Sequence, residues 1–172
     1  MPQAVRRGDC SQCAALCCVA FAFDADEDFG LEKPANVACP KLTGDGRCSI
    51  HSSLADNGFA GCVLYDCGGV GQDVVQGLFA GRSWQDEPGL LIPMMAAFEA
   101  MRLARDLDDL LLAVGQLDLE TDERERYLEL DAALEQLRPW SRTSLEQLQA
   151  SGLAGEVRHF VRTLAHHFAN QA

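Results

Sequence analysis

The sequence predicts a mainly α protein, with an irregular, cysteine-rich N-terminal half and a small C-terminal helical bundle. Three observations predict it. All eight cysteines lie between Cys10 and Cys67, in the order Cys10-x-x-Cys13-x-x-x-Cys17-Cys18, Cys39, Cys48, Cys62 and Cys67. Residues 34–57 are rich in Pro, Gly, Asp and Ser, which make turns rather than extend regular elements. Beyond Gly89 the chain changes to Leu, Ala, Glu and Arg, with apolar residues at helical spacing. Residues 1–83 are therefore expected to form one module and residues 84–172 the bundle, with a hinge at residues 81–89.

In chain order, residues 10–16 read as a loop around the first thiols and residues 17–23 as a short apolar element. Asp24-Ala25-Asp26-Glu27-Asp28 reads as a solvated acidic loop, because its spacing does not match an EF-hand. Cys39-Pro40 and Gly46-Arg47-Cys48 set two thiols beside tight-turn residues, where backbone N–H groups can donate to thiolate sulfur. Cys67-Gly68-Gly69-Val70-Gly71-Gln72 reads as a tight turn leading into a helix through Val74, Val75, Leu78 and Phe79. It lacks the Gly-Lys-Ser/Thr ending of a phosphate loop and departs from the GxGxxG spacing.

In the second half, Pro93 suits the first turn of a helix, where its missing N–H costs little. Phe98, Met101, Leu107, Leu111, Val114 and Leu117 form that helix's apolar stripe. A second helix spans residues 120–137, with Tyr127, Leu130, Leu134 and Leu137 on one face and Pro139 stopping it. Thr143-x-x-Glu146 is a capping-box pattern that opens a third helix to about Ala150, ended by Ser151-Gly152. Leu153, Val157, Phe160, Val161, Leu164 and Phe168 define the last helix.

Charge excludes some functions. The net charge is −12 and no basic stripe appears, so nucleic acid and anionic membrane surfaces are unsuitable partners. No apolar run reaches the roughly 18–20 residues needed to cross a bilayer. Arg6-Arg7 followed by the apolar run at residues 14–23 resembles a signal peptide, but its removal would discard or split the first thiols. The expected compartment is a reducing cytoplasm, where clustered thiols point to metal rather than disulfides.

Thiolates are soft ligands, and four of them close a shell around zinc or hold the irons of a cluster. Eight exceed one zinc, and successive side chains such as Cys17 and Cys18 diverge, which favours a polynuclear site or two sites. The expected metal ligands are Cys10, Cys13, Cys17, Cys18, Cys39, Cys48, Cys62 and Cys67, with His51 as an additional candidate three residues after Cys48. The expected cofactor is an iron–sulfur cluster in preference to zinc or iron ions. The N-terminal half is thus read as metal-organised, since so short a segment needs a staple. Four disulfides would require export and strain at the vicinal pair. A thioredoxin-like Cys10-x-x-Cys13 lacks its βαβ context. Buried thiols without function are the remaining reading. His159 and His166 fall on a helix face opposite the apolar stripe, and His167 nearer the buried edge; none pairs with a Ser nucleophile or a Glu-x-x-His pattern.

The stretches Cys10-Ser-Gln-Cys13-Ala-Ala-Leu-Cys17-Cys18, Cys39-Pro40-Lys-Leu42, Asp45-Gly46-Arg47-Cys48-Ser-Ile50-His51 and Cys62-Val-Leu-Tyr65-Asp-Cys67 resemble the YkgJ-type cysteine-cluster family, a CxxCxxCC zinc- or iron-chelating domain. Gly58-Phe59-Ala-Gly61-Cys62 and Tyr65-Asp66-Cys67, with the Gly-rich turn and Gln72, look like the cysteine-rich region preceding the repeats of some actinobacterial pentapeptide-repeat proteins. The resemblance implies metal chelation at these cysteines. Two departures limit it: the spacer between Cys13 and Cys17 has three residues rather than two, and no pentapeptide repeats follow. The functions expected are electron transfer or redox and metal sensing. A zinc-stapled module binding a protein partner through the helical half is the alternative, and an enzyme with an open iron position the third reading.

Overall fold

Two units divide the chain, one ending at Phe98 and the other beginning at Glu99. The computed structural model describes residues 7–169, with side chains as far as His167. Arg6 and the side chain of Phe168, both named above, lie outside the described residues. Among the described residues the structure is mainly helical, without strands, and has two isolated antiparallel bridges, Phe23 to Lys33 and Leu42 to Cys48. Among them, too, no helix is long and apolar enough to cross a membrane. The division falls inside helix α4, Leu91–Val114, rather than at residues 83–84. Its first turns belong to the first unit, where the Phe98 ring lies edge-on to Phe21 at 6.3 Å between centroids.

Among the described residues the first unit holds three short α-helices besides the start of α4: α1 (Leu16–Ala20), α2 (Ala60–Leu64) and α3 (Val70–Gln72). α1 buries Leu16 and Val19, three apart on one face, and stops where Phe21 becomes extended. α3 runs into a π-helical stretch, Asp73–Leu78. The wider winding carries the Phe79 N–H to the Val74 carbonyl at 3.1 Å, so Val74 and Phe79 share the buried side. Leu78, expected on that face, is only half-buried as a result. The acidic loop is exposed and self-capped, Asp26 Oδ1 accepting from the N–H groups of Asp28 (2.8 Å) and Phe29 (3.0 Å).

The second unit contains the rest of α4, then α5 (Thr121–Glu135), α6 (Arg142–Ala150), α7 (Leu153–Thr163) and the short α8 (His166–Ala169). Its buried side chains include Met101, Leu107, Leu111, Val114, Leu130, Leu134, Leu145, Leu148, Val157, Phe160 and Leu164. Each such burial contributes about 1.5–3 kcal/mol before entropy is counted. α4 and α5 end before Leu117 and Leu137, which are half-buried; Leu119 is buried beyond α4. The cap of α6 is not Thr143 with Glu146. Ser141 is extended, its hydroxyl accepting from Ser144 N–H (3.1 Å) while Ser144 Oγ accepts from Ser141 N–H (2.9 Å). This box starts the helix a residue before Thr143 and leaves Thr143 inside it.

Candidate metal centre

Side-chain caps and backbone hydrogen bonds, rather than a sheet, draw the thiol-bearing loops together. Cys10 opens a 3₁₀ turn, Cys10–Gln12, capped by Asp9, whose Oδ1 accepts from Ser11 N–H at 2.9 Å. Asp9 N–H donates to Gln72 Oε1 (2.6 Å) and Gly8 N–H to Asp66 Oδ1 (2.8 Å), which also accepts from Gly68 N–H (2.8 Å). These bonds fix the first thiols beside the turn carrying Cys67. Cys39 N–H donates to the Cys18 carbonyl at 3.0 Å. The Ala14 carbonyl, between Cys13 and Cys17, accepts from Trp84 Nε1 (2.7 Å) and Gln85 Nε2 (3.1 Å). Gly71 completes the packing: a Cβ there would overlap Cys13 Sγ, so only glycine lets α3 lie against that thiol.

All eight cysteines are free thiols, from exposed Cys10 to buried Cys39. Their charges are mutually felt. Cys10 senses Cys18, Cys67 and Cys48; Cys39 and Cys62 each sense Cys18 and Cys48; Cys13 senses Cys67 and Cys10. Burial, and then this repulsion, pushes the Cys13 and Cys62 thiols up to about 11 and raises Cys10 and Cys39 as well. The network joins every predicted cysteine ligand.

The vicinal pair is closer than side-chain divergence suggests. Cys17 and Cys18 Sγ are 4.0 Å apart on α1. Their mutual hydrogen bond leaves the proton on Cys17, whose titration is pushed up, and favours thiolate at Cys18, which is pulled down. A tetrahedral zinc with Zn–S of about 2.3 Å needs sulfur–sulfur edges of about 3.8 Å, so the two can share an ion. Among the described residues, the one group of three or more ligand atoms within 4.8 Å of one another is Glu123, His166 and His167. No three thiol sulfurs are gathered that tightly.

Backbone and side-chain donors tune individual sulfurs. N–H groups of Leu16 and Ala15 bond to Cys13, and that of Lys41 to Cys39, each favouring thiolate. Ala15 adopts a left-handed φ of 53°, the conformation that turns successive N–H groups toward an anion. The donors expected beside Cys39-Pro40 are thus found at Cys39. Lys33, not singled out by the sequence, is 3% exposed. Its Nζ donates to the carbonyls of Val19 (3.1 Å), Pro34 (3.0 Å) and Val37 (2.7 Å) and lies 5.0 Å from the Phe23 ring centroid. Burial lowers its titration, while Cys39 and Cys18 nearby oppose that. It is a fixed cation beside the thiols. The isolated antiparallel bridge to Phe23 places it there, a pairing that no local sequence signal announces.

His51 sits in a 3₁₀ turn, exposed, with its N–H to the Cys48 carbonyl at 3.3 Å, and joins no group of converging ligand atoms. His159 is exposed. His166 and His167 meet Glu123 of α5, a residue that sequence reading passed over. His167 beside it, then the Glu120 N–H, hold the Glu123 carboxyl below the usual carboxylate range.

The chain is 31% identical over 140 residues to YybG, an uncharacterized protein of Bacillus subtilis (strain 168). The match takes in 81% of this chain and 49% of YybG, so the chain spans about half the length of the curated relative it matches. No family profile and no solved structure matches the chain.

Proposed function

We propose that the first unit is a thiolate metal centre, an iron–sulfur cluster held by cysteines drawn from Cys10, Cys13, Cys17, Cys18, Cys39, Cys48, Cys62 and Cys67. The carrying observation is the proximity of all eight thiols, with Cys10, Cys13, Cys17, Cys39 and Cys62 raised by burial and by repulsion from neighbouring thiols. Such repulsion is costly without a cation and is reversed by one, since a coordinating thiol loses its proton outright. The spread of the sulfurs suits a polynuclear centre, in which each thiolate takes a separate metal corner. Backbone donors at Cys13 and Cys39 and the buried Lys33 are the chain's own means of setting a cluster's potential. Electron transfer or redox and metal sensing, in the cytoplasm, is the function this chemistry supports. The resemblance to cysteine-cluster chelating domains supports the same reading.

The 4.0 Å separation of Cys17 and Cys18 favours a second reading, zinc ions that staple an interaction module. Val63 and Leu64 of α2, between Cys62 and Cys67, are exposed apolar residues that a protein partner would cover. Metal analysis and an absorption spectrum of anaerobically purified protein separate the two. Iron with sulfide and a visible band that reductant bleaches supports the cluster; colourless protein holding zinc supports the staple. Protein that retains no metal and takes up neither zinc nor iron on reconstitution sinks both.

A further inference from the structure

The second unit carries a separate set of converging ligands and no cysteine. α7 ends at Thr163, and the chain turns through Leu164 and Ala165 into α8, which begins with His166 and His167. His167 Nε2 lies 2.9 Å from Glu123 Oε2, and His166 Nε2 lies 3.2 Å from Glu123 Oε1. Glu123 is itself oriented by the Glu120 N–H, which donates to Oε2 at 2.9 Å.

The tautomer of His166 follows from its other nitrogen. Nδ1 lies 3.1 Å from the Thr163 carbonyl oxygen, which can only accept, so Nδ1 carries the hydrogen. In the neutral ring Nε2 then presents its lone pair to a carboxylate oxygen, another acceptor. Two acceptors opposed at that distance require a positive charge between them. A proton on His166 Nε2 would supply it, whereas His167 can donate from Nε2 as a neutral ring. One divalent ion would satisfy both imidazoles and the carboxylate together.

We propose that Glu123, His166 and His167 bind a divalent transition-metal ion, with zinc the best match to the donor set. Two imidazole nitrogens and one carboxylate oxygen form a borderline donor set that zinc accepts at about 2.0–2.2 Å. A tetrahedral shell of that radius has ligand–ligand edges of about 3.3 Å. The 3.2 Å contact, to Oε1, meets this spacing, while the 2.9 Å contact is to Oε2, so one ligating oxygen needs the other imidazole to shift toward it. The Thr163 carbonyl on His166 Nδ1 and the Glu120 N–H on Glu123 are the outer partners that such ligands use to hold their orientation. Three protein ligands leave a fourth position for water, and Glu123 also lines an open groove with Asp122, Arg126, Glu156, His159 and Thr163. This inference does not depend on the thiolate centre.

The test uses the full chain as purified, its thiols first saturated with Zn²⁺ where they take it up, then titrated with further Zn²⁺ and followed by histidine side-chain ¹H–¹⁵N correlation. His166 and His167 Nε2 are expected to move to metal-bound positions at one equivalent, with His51 and His159 unmoved. Isothermal titration should show His166→Ala and Glu123→Gln weakening this site at least about tenfold, the low end of what losing even an outer partner costs. His166 is 55% exposed, so its removal leaves the fold intact. Unmoved Nε2 resonances in excess zinc, or both variants binding as the parent does, overturn the proposal and leave a hydrogen-bonded His–Glu cluster.

Discussion

Replacing Gly71 by alanine tests whether Cys13 is held against α3. The backbone there is helical, since Gly71 is not among the residues with positive φ. At an open helical position the change from glycine to alanine stabilises by about 0.5–1 kcal/mol. At Gly71 the new methyl overlaps Cys13 Sγ and comes within 3.2 Å of Cys13 Cβ. Relieving such overpacking costs about 1–3 kcal/mol, so the net effect is a loss of up to about 2 kcal/mol. Gly77, in the adjoining π-helical stretch, is the internal control: it is exposed and no atom lies within 4 Å of an added Cβ. Gly77→Ala should stabilise by up to about 1 kcal/mol. For a chain of this size each kcal/mol moves the melting temperature by about 2–4 °C, so the two variants should melt on opposite sides of the parent. Urea midpoints and metal content complete the assay. A Gly71→Ala protein that gains stability as Gly77→Ala does, with full metal content, refutes the placement of Cys13.

Lys33→Met strips the donor from the carbonyls of Val19, Pro34 and Val37 and should destabilise the first unit by at least about 2 kcal/mol, read as faster amide exchange in residues 19–39. In metal-free protein, Cys13 and Cys62 hold their protons to about 11 against an ordinary 9.0. The folded state therefore binds protons more tightly, and this stability is complete below about pH 9 and lost as pH rises through about 11. Urea midpoints should fall across that window without metal and stay flat with it; a flat metal-free profile contradicts the burial of these thiols. Chelation of the metal-loaded protein should unfold residues 10–67 while most helical circular dichroism survives; an unchanged melt after confirmed metal removal argues against a metal-organised core.

The helical half was legible because its signals are local. Leu130 with Leu134, and Leu153 with Val157 and Phe160, recur at helical spacing, and both sets are buried. The misses are competitions between local signals or between local and tertiary ones. Ser141 and Thr143 are both competent caps, and the extended backbone at Ser141 decides between them. The π-winding after α3 comes from packing Val74 and Phe79 to one side, which a period of 3.6 cannot express. The expected boundary at residues 83–84 followed composition, whereas the unit boundary follows Phe98 and its contact with Phe21.

For the site, residue type was legible and charge balance was not. Cysteine spacing names candidate ligands wherever the loops go, but Lys33 stands out only because the bridge to Phe23 places it beside Cys18 and Cys39. Glu123 likewise meets histidines more than forty positions away. Once the neighbours are known, a further step follows. Lys33 is a single cation facing several thiols, and its hydrogens are already committed to three carbonyls. Cys18 is the thiol pulled down, first by its hydrogen bond from Cys17 and then by Lys33. Cys10, Cys13, Cys17, Cys39 and Cys62 are pushed the other way and hold their protons more tightly. The proposed metal uptake is therefore expected to release protons and strengthen as pH rises, with Cys18 the thiolate placed to make the first bond; proton release measured on titration with Zn²⁺ checks it.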